Sequence, residues 1–355
     1  MSCAEPLMVI NFNRILEVSG LKFIFRMDDL GLWDETLVRL EFSPANLLAS
    51  SINYQLTYHR ERGGEWWDIS CIIFWDNSPV GIWPLTVSKG DSGEISLSSH
   101  GLLVAPPRFI RDCPSRTRKK ILTSCLDAVN KMAAELGLMH WGSRVNFSGS
   151  YELSQWHLES MARGAICSVK HDLYIDLRAS LSEIKSNFRR SYRSLVSPDR
   201  SLWTIEIVDG RGGLGAWNEF QELHLKVSGR RTRSEKTWIL QYEAIVSGEG
   251  FLIALRNSNG AMVGGGYFIC SIHEGFYAVG AYDRDLFDQP LGHIVQWQAI
   301  TELKKRGCIH YYLGDRCYQG DSVPPTQKEL SIAHFKEGFA MNVYPSFSFN
   351  HPVFS

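Results

Sequence analysis

The chain has 355 residues, which suits two domains of ordinary size better than one hydrophobic core. Hydrophobic residues make up 44% of the chain and charged residues 21%, as is usual for globular proteins. The formal net charge of −1 excludes a global attraction to nucleic acid or to an anionic membrane. An anionic partner therefore needs a local basic patch.

Targeting, disulfide and metal signals are absent from the sequence. The N-terminus lacks the basic start and long apolar stretch of a signal peptide, and no apolar run is long enough to span a bilayer. The eight cysteines form no C-x-x-C pair, and several, such as Cys71, lie inside apolar runs, which indicates buried, reduced thiols. The histidines show no helical pairing with acidic residues. We expect a cytoplasmic protein without a membrane span or a metal site.

The first half of the chain changes from strand-like to helix-like periodicity. The pattern predicts a helix, three strands, a second helix and a fourth strand in this order: residues 44–62, 66–74, 80–89, 94–101, 121–136 and 138–141. Turn residues 76–79 and 90–93 separate the three strands, and Gly137 ends the second helix.

The second half repeats this order of elements. The corresponding predictions are residues 214–228, 251–256, 261–270, 276–283, 291–306 and 308–311. In both copies a glycine ends the second helix, and a histidine followed by an aromatic residue lies in the next strand, as in His140-Trp141 and His310-Tyr311. The repeat predicts two copies of one α/β unit, an N-terminal domain of residues 1–168 and a C-terminal domain of residues 169–355.

This order resembles the GCN5-related N-acyltransferase (GNAT) fold, and a tandem pair of such units resembles the FemABX family. Residues 289–315 are similar to that family's helix leading to a strand that ends in Leu-Gly, and Phe335-Lys336-Glu-Gly338-Phe339 is similar to its closing motif. Residues 184–193 resemble the arginine-bearing helix that opens its second domain. The resemblance covers residues 170–340 and implies an α/β fold of two tandem GNAT-like domains, with mixed sheets flanked by helices.

The resemblance also implies where an acyl donor binds. In the GNAT fold a helix N-terminus receives the pyrophosphate of the donor. The corresponding residues are Gln289, Leu291, Gly292 and His293, of which Gly292 alone matches the glycines of a coenzyme A loop. A simply capped helix is the alternative interpretation. FemABX proteins take aminoacyl groups from tRNA, so both donors stay open. The neutral chain without a large basic face favours an acyl-CoA such as acetyl-CoA.

A basic segment between His224 and Trp238 is the strongest local charge feature. It contains the basic side chains Lys226, Arg230, Arg231, Arg233 and Lys236. Arginine side chains suit the phosphate or carboxylate group of a substrate, whereas a solvated charged loop is the alternative interpretation. We expect Arg230, Arg231 and Arg233 to bind the substrate, and Arg316 to border the same cleft.

Four residues are candidates for the chemistry. Lys336 lies where the closing motif of the resembling family has a lysine implicated in phosphate contact or peptide-bond formation. Asp283 ends the third predicted strand and is a candidate base for the incoming amine, and Tyr282 is a candidate acid for the leaving group. His224 is a second candidate base. A surface ion pair is the alternative interpretation for Asp283.

Together these features predict an N-acyltransferase active mainly in its C-terminal half. The expected acceptor is a small amine, such as an amino sugar, an amino acid or a cell-envelope precursor, that carries a phosphate or a nucleotide. Two alternatives are an aminoacyl-tRNA-dependent transferase of the FemABX type and a non-catalytic protein that binds an anionic ligand.

Overall fold

The computed structural model describes residues 5–149, 152–196, 203–210 and 213–353. Contacts divide the chain into two compact units. The first consists of Met1–Ser43, Gln55–Lys170 and Pro345–Ser355, and the second of Pro44–Tyr54 and His171–Tyr344. The second unit therefore includes a short segment from the N-terminal half of the sequence. Within the described residues, no helix combines the length and apolar character needed to cross a membrane.

In the described residues, single helices or helix pairs are separated by single strands or runs of strands. Those up to residue 162 are α1 (Glu5–Val18), β1 (Lys22–Phe25), α2 (Leu30–Arg39), a 3-10 helix (Ala45–Leu47), α3 (Ala49–Arg60), β2 (Glu65–Asp68), β3 (Cys71–Trp75), β4 (Ser78–Trp83), β5 (Thr86–Lys89), β6 (Ile95–Ser98), β7 (Arg108–Phe109), α4 (Ser115–Glu135), β8 (His140–Val145) and α5 (Gln155–Ala162). Those that follow are β9 (Ile166–Asp176), α6 (Leu181–Asn187), α7 (Arg190–Arg193), β10 (Thr204–Val208), α8 (Leu214–Ser228), α9 (Glu235–Val246), β11 (Gly250–Arg256), β12 (Met262–Cys270), β13 (Glu274–Tyr282), a 3-10 helix (Arg284–Leu286), α10 (Leu291–Lys305), β14 (His310–Arg316), α11 (Gln327–Glu337) and β15 (Asn342–Pro352).

The strands of the first unit form two small sheets, ordered β1-β3-β4-β7 and β2-β5-β6, and β8 pairs with β15. The prediction of single strands over 66–74 and 80–89 is wrong, because each run is divided between the two sheets. Pro84 has no N–H group for a strand ladder and follows the end of β4. The run 66–74 is interrupted between β2 and β3, at Ile69 and Ser70. The Ser70 hydroxyl accepts a hydrogen bond from Leu85 N at 3.0 Å.

A buried polar cluster lies at this break. Arg26 Nη1 is 2.9 Å from Asp68 Oδ2, and His100 Nε2 is 3.3 Å from Asp68 Oδ1 and 3.0 Å from Ser70 Oγ. Arg26, Ser70 and His100 are buried, and the side chain of Asp68 is 3% exposed. The same ring nitrogen of His100 faces both Ser70 and Asp68, whereas a hydrolase triad uses opposite nitrogens. The cluster is therefore structural, and it fixes where the two strands are interrupted.

The second unit contains a mixed sheet with the strand order β10-β11-β12-β13-β14-β9 in its described part. Adjacent strands in this sheet are antiparallel, except β13 and β14, which are parallel. The predicted meander of three strands and the helices predicted at 214–228 and 291–306 are confirmed as β11, β12, β13, α8 and α10. The apolar face of α10, including Val295, Ile300 and Leu303, is buried in the core of this unit.

A buried carboxylate joins the segment Pro44–Tyr54 to the second unit. Glu274 at the start of β13 is 5% exposed; its Oε2 accepts a hydrogen bond from Ala45 N at 2.9 Å, and its Oε1 accepts one from Tyr174 Oη at 3.0 Å. Buried carboxylates are stable where such donors satisfy them. The amide of Ala45, at the start of the 3-10 helix, is one of these donors. The segment Pro44–Tyr54 therefore belongs to the second unit although it lies far away in sequence.

We expect the substitution Asp68→Asn to destabilise the first unit. It would remove the carboxylate from a buried ion pair, and breaking such a pair costs about 3–5 kcal/mol in the free energy of unfolding. Urea unfolding at pH 7, followed by tryptophan fluorescence, measures this loss. The same substitution at the exposed Asp28 is the matched control and should change the midpoint little.

The stability that Asp68 contributes should also depend on pH. Burial by itself would raise the pKa of Asp68, but hydrogen bonds from His100 and Ser70 and the charge of Arg26 hold it well below the usual range. A carboxyl whose pKa is lowered in the folded state stabilises it above the unfolded-state pKa of about 4, and this contribution is lost as the pH falls below that value. Equal acid sensitivity of the wild-type and Asp68→Asn proteins would contradict this assignment.

Candidate active site

Two parallel strands of the second unit separate soon after they begin. β13 and β14 pair only at Glu274↔His310, Gly275↔Tyr311 and Phe276↔Tyr312. Beyond these pairs the strands continue to Tyr282 and Arg316, but among the described residues they no longer pair with each other. The facing strand edges therefore leave a wedge-shaped gap, here called the strand gap, between residues 277–282 and 313–316. Main-chain groups along such edges are available to an extended ligand.

A bulge in β13 brings two tyrosine hydroxyls together beside the strand gap. The register between β12 and β13 shifts at Ala278, which is one extra residue on β13. Without it, Tyr277 and Tyr282 would point to opposite faces of the sheet, because side chains alternate along a strand. Their hydroxyl oxygens are instead 3.0 Å apart. A side chain at Gly280 would collide with the Tyr277 hydroxyl, so glycine is required there.

Burial keeps both hydroxyls protonated. It raises the pKa of Tyr277 to about 12, against a smaller opposing effect of the hydrogen bond with Tyr282. Burial, followed by the interaction with Tyr277, raises the pKa of Tyr282 well above its ordinary value. At neutral pH the pair is therefore a source of protons and cannot act as a pair of phenolates.

Lys336 reaches the strand gap from the C-terminal turn of α11. Its Nζ lies 5.8 Å from the centre of the Tyr277 ring. It comes so close to Gly314, which has a φ of 114°, that a Cβ there would be 2.7 Å from Nζ. No hydrogen bond of this ammonium is found in the described part of the chain. Burial lowers the pKa of Lys336, and Asp315 and Cys317 oppose this only partly.

Arg316 is held by an ion pair next to this lysine. Arg316 Nε is 3.0 Å from Glu337 Oε1, and Arg189 Nη2 is 3.9 Å from the other oxygen of the same carboxylate. Arg189 also donates to the main-chain oxygen of His334 at 3.0 Å. Glu337 thus neutralises positive charge next to Lys336, and the role predicted for Arg316 in substrate binding competes with this pair.

The N-terminus of α10 adjoins Tyr282. Its first-turn amides, at Leu291 and Gly292, have no carbonyl acceptor within the helix, and Pro290 provides no side-chain cap. A Cβ at Gly292 would be 3.1 Å from the Phe335 ring and 3.7 Å from the Tyr282 ring. Aromatic rings therefore cover the helix end that was predicted to bind pyrophosphate.

The remaining residues of that predicted donor site are poor ligands for an anion. His293 packs against Tyr192, with ring centres 4.3 Å apart, and burial followed by the charge of Arg189 lowers its pKa to about 4. It is therefore neutral at pH 7. The Gln289 side chain donates to Asp288 at 3.0 Å, and Leu291 is buried.

The predicted bases His224 and Asp283 are both engaged in charge interactions. Burial, followed by the charge of Arg233, lowers the pKa of His224, whose Nε2 is 3.5 Å from Arg233 Nη1. Lys226 Nζ donates to Asp283 Oδ2 at 3.0 Å, and Asp285 N donates to Oδ1. The hydrogen bond from Lys226 is the main cause that lowers the pKa of Asp283. This carboxylate is therefore a weak proton acceptor.

The three arginines of the basic segment have different environments. Arg233 Nε donates to Tyr54 Oη at 2.9 Å, and its guanidinium lies 5.4 Å from the centre of the Trp238 ring. Arg230 and Arg231 are exposed. Arg233 therefore serves the packing of the second unit, whereas the other two are available to a ligand.

The structure brings Tyr282, Gly292 and Lys336 together, while of the expected bases Asp283 is paired with Lys226 and His224 lies beside Arg233. Sequence reasoning did not find Tyr277 or Gly280, and it gave Gly314 no role beyond the Leu-Gly end of its strand. The run Gly275-Phe276-Tyr277-Ala278 gave no signal for Tyr277, since only the bulge turns this residue towards Tyr282. Among the described residues no group of three or more histidines, cysteines or acidic residues has a geometry that could hold a metal ion.

Comparison with solved structures identifies the fold. A crystal structure of FemX matches 90% of this chain and 95% of its own, with a TM-score of 0.66 and 14% identity. The C-terminal domain of a protein described as a lysylphosphatidylglycerol synthetase from Agrobacterium fabrum covers 92% of both chains, with a TM-score of 0.55 and 14% identity. A tandem GNAT protein from the clavulanic acid biosynthesis pathway covers 94% of this chain and 99% of its own, with a TM-score of 0.50 and 11% identity.

No protein-family model and no curated protein matches the sequence. The structural likeness at these low identities establishes the architecture, and the chain has the tandem GNAT-like α/β fold. The fold predicted from the internal repeat is thereby confirmed.

We expect Lys336 to titrate below the ordinary value of a lysine side chain, because its ammonium is partly removed from water. Reductive methylation with a carbon-13 label, followed by an NMR pH titration, measures this pKa directly. Asp315→Asn should lower the pKa of Lys336 further, since it removes a negative charge that stabilises the ammonium. An unchanged or raised pKa in this variant would contradict the arrangement.

Proposed function

We propose that the chain transfers an aminoacyl group from the end of a tRNA to an amine, with the strand gap as its reaction centre. The observation that carries this proposal is the Lys336 ammonium, which lies in the gap without a hydrogen-bonding partner among the described residues. It adjoins a pair of protonated tyrosine hydroxyls. A cation and a proton relay at one point are what acyl transfer to an amine requires.

The ammonium of Lys336 would stabilise the negative charge that develops in the reaction. When the amine nitrogen attacks the ester carbonyl carbon, a C–N bond forms and the carbonyl oxygen becomes an oxyanion. A preformed cation in a partly dry site stabilises that oxyanion more than water does. Since the Lys336 ammonium donates no hydrogen bond among the described residues, its N–H groups are available for this step.

The tyrosine pair would move the proton. Collapse of the tetrahedral intermediate breaks the bond between the carbonyl carbon and the ribose oxygen, which must take up a proton. Tyr282 donates this proton, and Tyr277 passes on the proton lost by the attacking amine. The hydroxyls are within hydrogen-bonding distance, at 3.0 Å, so the transfer needs no net gain or loss of protons by the pair.

The geometry supports an aminoacyl ester over an acyl-CoA, which reverses the order that the sequence suggested. In the GNAT fold a coenzyme A donor extends between the separated strands and places its pyrophosphate at the following helix. Here Lys336 Nζ lies against Gly314 of β14 and 5.8 Å from the centre of the Tyr277 ring of β13, and the rings of Phe335 and Tyr282 cover Gly292 at the start of α10. The likeness to FemX agrees with this choice, since the FemABX proteins that the chain resembles use aminoacyl-tRNA.

An acyl-CoA donor is the second candidate, supported by one feature of the helix. The amides of Leu291 and Gly292 at the N-terminus of α10 lack intrahelical acceptors, and such a helix end attracts anions. Binding there would require Phe335 to turn away from Gly292. The structural likeness to a tandem GNAT protein is in line with this candidate.

The acceptor is proposed to be a small amine that carries an anionic group, such as a cell-envelope precursor. Arg230 and Arg231 are exposed, and neither has an ion pair within the described residues. Arginine pairs of this kind bind phosphate or carboxylate groups through two hydrogen bonds each. Arg233 and Arg316, which the sequence also assigns to the substrate, are held by Tyr54 and Glu337.

The substitution Lys336→Met tests the reaction centre. It keeps a side chain of similar length over Tyr277 and removes the charge, so we expect kcat to fall by about 10²–10³-fold, as for the loss of one oxyanion donor. The assay follows transfer of labelled amino acids from a charged tRNA mixture, and in parallel of acetyl groups from acetyl-CoA, to a panel of amino sugars and peptidoglycan precursors.

The thermal midpoint of Lys336→Met should stay at or above that of the wild type, because a half-buried charge without a partner is removed. Lys328→Met, at an exposed position of the same helix, is the matched control and should keep full activity. Transfer from acetyl-CoA alone would select the second candidate. Absence of transfer from every donor, or full activity of Lys336→Met, would remove the basis of the proposal.

A double substitution, Arg230→Ser with Arg231→Ser, tests the acceptor site. We expect KM for an anionic acceptor to rise by about tenfold or more with kcat nearly unchanged, since these contacts are remote from the reacting atoms. Steady-state kinetics with a phosphorylated acceptor and its dephosphorylated analogue separate the two parameters. If both acceptors were affected equally, the arginines would not recognise the anionic group.

A further inference from the structure

The first unit contains a cavity of about 310 Å³ that plays no part in the proposed transfer reaction. It is lined by Asn130 and Lys131 of α4, by Arg163 directly after α5 and by residues 351–353 at the end of β15. These residues all belong to the first unit, whereas the strand gap lies in the second. The volume is in the range of sites that bind small organic molecules.

His351, in the wall of the cavity, is held in one orientation by its neighbours. The residue is 2% exposed, and its ring stacks on Trp141 with ring centres 3.8 Å apart. Its Nε2 is 2.8 Å from Ser143 Oγ, which accepts a hydrogen bond from Trp156 Nε1 at 3.2 Å. The Ser143 hydroxyl has no other acceptor among the described residues, so it donates to Nε2. The proton of the neutral ring is therefore on Nδ1.

His351 and Asn130 each have a hydrogen-bond donor that the described residues leave unused. Burial, followed by the charge of Arg163, lowers the pKa of His351 to about 4, so the ring is neutral at pH 7 and its Nδ1–H is a donor. No acceptor for this N–H is found in the described part of the chain. Trp141 Nε1 donates to Asn130 Oδ1 at 2.8 Å. Since an indole N–H can only donate, the amide nitrogen of Asn130 faces away from it, and it has no hydrogen bond to any described residue.

Two basic side chains complete the polar lining. Arg163 Nη1 is 2.5 Å from Asp127 Oδ1, and Arg163 Nε is 3.7 Å from Glu159 Oε2, so two carboxylates offset the charge of this guanidinium. Lys131 is exposed and forms no ion pair with any residue that the structure describes. The cavity therefore has one unpaired cation, at its rim.

The lining selects a ligand with a single negative charge. The side-chain groups that remain available are donors, and they include the amide N–H groups of Asn130, the Nδ1–H of His351 and the ammonium of Lys131. A carboxylate only accepts hydrogen bonds, and it carries the one charge that Lys131 matches. The rest of the lining is apolar and suits a hydrocarbon body: Ala134, Pro352 and Val353.

We propose that this cavity is a binding site for a small organic monocarboxylate, separate from the transfer reaction. In the complex the carboxylate accepts hydrogen bonds from Asn130, His351 and Lys131. The apolar body of the ligand packs against Pro352 and Val353, which removes its hydrocarbon surface from water.

The site is tested on the full chain by isothermal titration calorimetry. The probes are butanoate, hexanoate and benzoate, and each is compared with its uncharged amide, which has nearly the same shape. We expect at least one carboxylate to bind about tenfold or more tightly than its amide, because hydrogen bonds to a charged group are about twice as strong as neutral ones. Failure of all three carboxylates to bind, or equal affinity of each for its amide, would overturn the proposal.

Three variants locate the binding. Lys131→Met should weaken binding of the carboxylate to the level of the amide, and Lys119→Met, at an exposed position of the same helix, is the matched control and should keep wild-type affinity. Ala134→Trp places a large side chain in the cavity from an exposed helix position, so it should abolish binding of both ligands with little change in the thermal midpoint.

Two results with these proteins would contradict the site. Wild-type affinity of Ala134→Trp would place the ligand elsewhere on the chain. Binding by a chain that ends at Val353, together with no binding by the full chain, would mean that the last two residues occupy the cavity themselves.

Discussion

The limited pairing of β13 with β14 is the constraint on which the candidate site depends. The two strands share three residue pairs, and then the bulge at Ala278 turns β13 away from its parallel neighbour. Gly314 gives the Lys336 ammonium room beside β14, and the bulge sets both tyrosine hydroxyls on one side of the sheet. Glu274 fixes the paired end, because its carboxylate is buried and satisfied by Tyr174 and Ala45. The contacts of Glu274 therefore hold β13 and β14 together at one end, while the two strands separate at the other end.

Charge is distributed around this gap so that one cation stays available. Glu337 pairs with Arg316 and Arg189, and Asp283 pairs with Lys226, which neutralises the surrounding basic groups. Lys336 is left beside the Tyr277 ring, and Asp315 and Cys317 only partly offset the effect of burial on its pKa. In a site partly shielded from water such a charge acts strongly on a developing oxyanion. The net charge of the sequence does not reveal this arrangement, because paired and unpaired charges contribute to it equally.

Periodicity, turn residues and the internal repeat determined the α/β class, the meander β11 to β13 and the helices α8 and α10, because these depend on local pattern. The closing motif drew attention to Lys336 in the same way. The division of 66–74 and 80–89 between two sheets, the transfer of Pro44–Tyr54 to the second unit and the meeting of Tyr277 with Tyr282 were decided only by the tertiary structure. These three features follow from buried hydrogen bonds or from a single inserted residue. Neither of these causes changes the hydrophobic periodicity of the sequence. The ion pairs of Asp283 and Arg316 were hidden for the same reason, since their partners lie far away along the chain.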